Sequence, residues 1–250
     1  MLKLLKSTNI YETFFPFYWM LKIFGFACYN LNLIEMKIKV SKVNKLQSLL
    51  FIVVYLLVTS YMIIRGQLES PIEESLLVNN GWFLLYIAQL GFCVLVAAFN
   101  MYYVDITKSI LKTLDDFDKL TNHQTDWIFT LNHSKHRTYV VVLTIINIVL
   151  CILKLIVCNF IYGVVNSVEF FYICGALAGI ELTALVSFQF TFFSFCIKSR
   201  QEVLLENFNT NFEDTLMDEG FFIQIDKFSY CSSMLSKVIE QINSSYSIQV

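Results

Sequence analysis

Four apolar stretches, each long enough to cross a bilayer, run through this chain at residues 46–64, 81–104, 138–168 and 170–197. A transmembrane helix needs about 20 predominantly apolar residues, because the hydrocarbon layer is about 30 Å thick and each helical residue rises about 1.5 Å. Composition narrows the choice further. Of the 250 residues, 56% are hydrophobic and only 15% charged, whereas soluble domains carry about 25% charged residues. One aqueous core could not hide that much apolar surface. Two prolines and eight glycines are too few for the turns of a β-barrel, and the apolar runs do not alternate as barrel strands must. The expected fold class is all-α: a polytopic helical membrane protein with four transmembrane helices. A net charge of −2 offers no basic field for nucleic acid.

The N-terminal apolar block is aromatic, interrupted by Pro16 and Lys22, and followed by no small-residue cleavage site, so it reads as retained. Lysines then set the orientation. Lys3, Lys6, Lys22, Lys37, Lys39, Lys42 and Lys45 precede the first span, and cytoplasmic flanks are the ones enriched in Lys and Arg. The connection at 66–80 holds Glu69, Glu73 and Glu74; the one at 105–137 holds Lys108, Lys112, Lys119, Lys135 and Arg137; and Lys198, Arg200, Lys227 and Lys237 follow the fourth span. Both ends are therefore predicted to be cytoplasmic. Three parts follow: residues 1–45, a cytoplasmic N-terminus with an interfacial helix; 46–197, a four-helix transmembrane bundle; and 198–250, a cytoplasmic helical tail.

Outside the spans the spacing predicts amphipathic helices. Ile106, Ile110, Leu114 and Phe117 share one face after the second span, with Lys108, Lys112, Asp115 and Asp116 opposite. In the tail, Phe221, Ile225, Phe228, Leu235, Val238 and Ile242 share a face after the start signal Asp218-Glu219-Gly220. Such a helix either lies on the membrane surface or docks on the other cytoplasmic extensions. The aromatic block at 10–33 predicts an interfacial or re-entrant helix that starts near Pro16 and breaks at Gly25.

Two ionisable residues fall deep inside the spans, Lys154 and Glu181. Each costs about 2.5–3.5 kcal/mol at a helix centre on insertion scales, so an unpaired charge is disfavoured. At about 1.5 Å per residue, both lie about 17–21 Å below the turn between spans three and four, close enough in depth to pair. A salt bridge, separate solvation in a watery cavity and contact with a charged ligand are the three readings open for them. A second set lies in the outer halves of spans two to four: Trp82, Tyr86, Gln89, Asn159, Tyr162, Phe171 and Tyr172. Aromatic walls with a few polar groups are the composition of a small-molecule pocket, although Trp and Tyr also gather at membrane interfaces.

No catalytic constellation, phosphate loop or dinucleotide fingerprint is present; the chain is not expected to be an enzyme or to need a cofactor. His133 and His136, with His123 and Asp126 nearby, have the types for a metal site, but a solvated loop is the expected setting, and no metal is assigned. Seven cysteines, most of them within spans, read as small apolar residues. The sequons at Asn132 and Asn243 fall on predicted cytoplasmic segments and should stay unglycosylated.

The chain resembles the insect gustatory receptors in three places. The opening Phe15-Pro16-Phe17-Tyr18-Trp19-Met20-Leu21-Lys22-Ile23-Phe24-Gly25-Phe26 looks like that family's aromatic, proline-containing N-terminus. Residues 193–198, followed by Arg200 and Leu204-Leu205-Glu206-Asn207, are similar to the basic stretch after its fourth helix. Residues 242–250 look like the Ile-Asn-x-x-Tyr/Phe-x-Ile signature that opens its fifth helix. The resemblance implies a seven-helix chemoreceptor subunit of a tetrameric ligand-gated cation channel, in the plasma membrane of sensory neurons, with a small-molecule tastant and membrane lipids as partners. It also implies that helices five to seven, including the pore helix, lie beyond these residues. An insect odorant receptor, a four-span structural membrane protein without a ligand, and half of a transporter are the alternatives left open.

Overall fold

The computed structural model describes residues 6–68, 88, 91–122, 131–162, 167–215 and 220–246. Its first helix, α1 (Ile10–Ile23), starts six residues before Pro16 because Asn9 caps it. The Asn9 side chain accepts from the Glu12 N–H at 2.9 Å, and the Glu12 carboxylate reaches back to the Thr8 N–H at 2.8 Å, so two otherwise orphaned donors are satisfied. The helix ends where expected. Gly25 takes a left-handed backbone with φ of 79°, while the Phe26 N–H turns back to the Leu21 carbonyl at 2.8 Å. A Cβ at Gly25 would stand 2.3 Å from the Phe51 ring, so only glycine lets the turn approach the next helix.

A β-hairpin follows, which the sequence reading did not anticipate: β1 (Tyr29–Asn32) pairs antiparallel with β2 (Lys37–Val40), Tyr29 opposite Val40 and Asn32 opposite Lys37. The helix predicted for the block at 10–33 is corrected: it ends at Ile23, and residues 29–32 form a strand instead. Its turn is closed locally, the Asn32 side chain accepting from the Ile34 and Glu35 N–H groups at 3.0 and 3.2 Å. Lys22 Nζ donates to Asn30 Oδ1 at 2.6 Å and Tyr18 OH to the Tyr29 carbonyl at 3.3 Å, which fastens the hairpin to α1.

Six further helices complete the described chain: α2 (Lys42–Leu68), α3 (Gly91–Tyr102), α4 (Val104–Asn122), α5 (His133–Tyr162), α6 (Ser167–Thr215) and α7 (Gly220–Tyr246). The mostly helical class is thus as expected. The second apolar stretch continues into the amphipathic α4, but with a bend of 59° at Tyr103. At about 1.5 Å per residue, the 49 residues of α6 extend about 74 Å, twice what a bilayer core requires.

Packing places α1 inside the assembly, against α5 and α4. Phe14 is fully buried, its ring 5.5 Å from Phe192 and 5.9 Å from Phe193 on α6. α7 docks on α6 and α4, with Phe208 edge-on to Phe228 and Gln241 Nε2 bonded to Ser109 Oγ at 2.9 Å. Of its predicted stripe, Phe228, Leu235, Val238 and Ile242 are buried, whereas Ile225 is exposed and the Phe221 side chain lies outside the described residues.

Along α2 and α5 the usual burial order is reversed. Asn44, Ser48 and Asn147 are buried while Leu49, Leu50, Val53, Val54, Leu57, Ile145, Ile146, Val149 and Ile156 are exposed. The apolar stretch within His133–Lys154 is only 17% buried, and α5 is the one helix among the described residues that is long and apolar enough to cross a membrane by itself. α3 and α4 pass that test only as a bent pair.

Candidate functional site

The most tightly built polar cluster among the described side chains sits where α4, α6 and the start of α5 converge. Arg200 on α6 is fully buried. Its Nε donates to Asp118 Oδ1 at 2.9 Å and one terminal nitrogen to Asp118 Oδ2 at 2.5 Å, the fork-to-carboxylate geometry that makes charge-assisted bonds strong. The other terminal nitrogen donates to the Cys196 carbonyl, one turn back, at 2.9 Å. Burial pushes the Asp118 carboxyl up and the guanidinium draws it back; since an arginine does not deprotonate, the pair holds the carboxylate form.

Two histidines close the cluster. His133 Nε2 lies 3.4 Å from Asp118 Oδ2, and the His136 ring lies 4.8 Å from the Phe195 ring. Both are buried, and burial together with the Arg200 charge holds each down to about 4, so both are neutral. They are not on the solvated loop that was expected: Asn132 Oδ1 accepts from the Lys135 N–H at 3.1 Å and starts α5 there, which turns both rings inward. Among the described residues no group of His, Cys, Asp or Glu has the arrangement of a metal site, and His123 and Asp126 lie outside them.

Asp115 also departs from expectation. It is buried beside the cluster, paired with the exposed Lys119 at 2.6 Å, and its charge with that of Asp116 adds to burial in raising the Tyr11 hydroxyl to about 12. The N-terminal segment is tied on as well, the Ser7 N–H donating to Ser134 Oγ at 3.3 Å. The arrangement ties four segments together, the chain before α1, α4, α5 and α6.

The predicted pocket residues are placed less fully. Trp82, Tyr86 and Gln89 lie outside the described residues. Asn159 and Tyr162 occupy the last turns of α5, and Phe171, Tyr172 and Glu181 the first half of α6, with their side chains outside the described residues. Lys154 is half-buried on α5. By helical rise, Tyr162 is about 44 Å along α5 from His133, so any pocket around these residues is at the far end from the arginine cluster. Near the cluster, Phe17, Met20, Tyr139, Val140, Thr144 and Phe192 line a cavity of about 20 Å³. That holds little more than one water, whereas ligand pockets span about 300–1,000 Å³.

Asp118 was missed in the sequence, yet a signal was there. Ile106, Ile110 and Leu114 step by four, and the next step is Asp118, on the buried stripe. Phe193, Cys196 and Arg200 step by three and four on α6, and all three are fully buried. Compared with known proteins, the chain matches no family model, no curated protein and no solved structure.

Proposed function

We propose that the chain is a gustatory-type chemoreceptor subunit of a ligand-gated cation channel, crossing the plasma membrane of a sensory neuron with the four apolar stretches and keeping the arginine cluster on the cytoplasmic side. The observation that carries the membrane part is the reversed burial on α2 and α5. Exposed Leu, Ile and Val around buried Asn and Ser suit a surrounding solvent that is itself apolar. The length of α6 supports the same reading, since it has enough helix to cross and then continue as a cytoplasmic extension. α4, the end of α6 and α7 then form one cytoplasmic body next to the membrane. The receptor part rests on the sequence resemblance and on the aromatic and polar residues at the outer helix ends.

The test is ligand binding by the purified 250-residue chain in nanodiscs, read by tryptophan fluorescence against a panel of sugars and bitter compounds. Saturable binding that Tyr86→Ala, Asn159→Ala or Tyr172→Ala weakens is the expected result. A stably inserted chain that binds nothing in the panel counts against a receptor and for a structural four-span protein.

A further inference from the structure

The hairpin and the first turn of α2 carry a cationic edge with an exposed apolar tip. β2 alternates: Ile38 is buried against the body, which aims Lys37 and Lys39 outward on one face. Lys42 and Lys45 follow, both exposed, while Asn44 and Ser48 between and beyond them turn inward. The one acid in this segment, Glu35, pairs with Lys37 at 2.7 Å and Lys39 at 2.6 Å, leaving four lysines against one glutamate. Both pairs are solvent-exposed, and exposed pairs of this kind contribute little and yield to competing anions. At the tip, Ile34 is 95% exposed, and immediately past the lysines the outward residues become Leu46, Leu49 and Leu50. Positive charge therefore ends where apolar exposure begins.

We infer that this edge binds the anionic headgroups of a lipid bilayer, with Lys37, Lys39, Lys42 and Lys45 against the headgroup charges and Ile34 entering the acyl boundary. Clusters of basic residues next to a membrane-crossing helix gain about fivefold in affinity per lysine held near an anionic surface. The inference rests on the proposed membrane insertion of α2. An acidic protein segment would match the lysines but would leave Ile34 and the neighbouring leucines without an apolar partner.

The chain is purified in mild detergent from vesicles of phosphatidylcholine with phosphatidylserine, and the retained lipid is quantified by mass spectrometry. Phosphatidylserine should be enriched over its share in the vesicle. Replacing Lys37 or Lys39 with Gln should each lower the enrichment, the double replacement more than either, and Glu35→Gln, which releases both lysines, should raise it. Because these side chains are exposed, an unchanged melting midpoint is the check on folding. No enrichment, or an enrichment the lysine replacements leave unchanged, overturns the inference. Carbonate extraction separates the two readings: a chain that carbonate strips off defeats membrane insertion itself, whereas a resistant chain with no phosphatidylserine preference defeats only the headgroup site.

Discussion

Arg200 and Asp118, 82 residues apart in the chain, meet through two N–H···O bonds of 2.9 and 2.5 Å with both side chains shut off from solvent. Removing one partner leaves a buried charge unpaired, which costs about 3–5 kcal/mol. Arg200→Met and Asp118→Leu should each lower the thermal midpoint of the detergent-purified chain sharply. The double variant should recover much of the loss, because neither charge then remains. A double variant no better than the singles would show that the pair does not act as a unit.

The neutral histidines predict acid sensitivity. A histidine held down to about 4 in the folded chain, against an ordinary value of 6.5, favours folding fully above pH 6.5; that contribution is lost as pH falls toward 4, because the unfolded chain takes up protons first. The raised Asp118 carboxyl acts in the opposite direction. Melting midpoints measured from pH 7 down to pH 4 should fall, and His133→Gln with His136→Gln should flatten the slope.

Gly25→Ala should destabilise the chain by about 2 kcal/mol or more, combining left-handed strain with a clash. The added Cβ meets the ring and Cβ of Phe51 at 2.3 to 2.6 Å, so the neighbouring helix itself must shift. Phe51→Ala in the same chain should relieve the ring part of the clash but neither the contact with the Phe51 Cβ nor the backbone strain, so the melting midpoint should recover only in part.

Phe14→Ala tests whether α1 is embedded. A fully buried ring packed on Phe192 and Phe193 should cost about 3–5 kcal/mol. A helix merely resting on a bilayer surface would show almost no change in the same melt.

Orientation has an inexpensive check in the two sequons. With both ends cytoplasmic, Asn132 and Asn243 should carry no glycan when the chain is made in eukaryotic cells, and endoglycosidase should not shift its mobility. A glycan on Asn132 would invert the proposed topology.

How much was legible varies from element to element for physical reasons. The stripe Ile106, Ile110, Leu114 and Phe117 predicts α4, and those residues are indeed turned inward, because helical periodicity is written in neighbouring residues. Asp115 defeated the same rule: a carboxylate on a helix flank reads as solvated unless the segments packed over it are known. The hairpin was hidden because residues 29–40 are too short and aromatic-flanked to show a strand period, and its place depends on β1 packing against α1 and β2 against α4. The pair Lys154 and Glu181 and the aromatic pocket set were legible only as residue types at plausible depths.

Apolar run length and periodicity by themselves determined that the chain is mostly helical and which segments are the apolar ones, since both are local properties of a helix. Only the tertiary structure decided that α1 lies inside, that Asn44 and Asn147 face inward while leucines face out, and that Asp118 is the partner of Arg200. Such pairing depends on how distant helices approach one another, and a buried charge becomes distinguishable from a solvated one only when the surfaces that exclude water from it are in place.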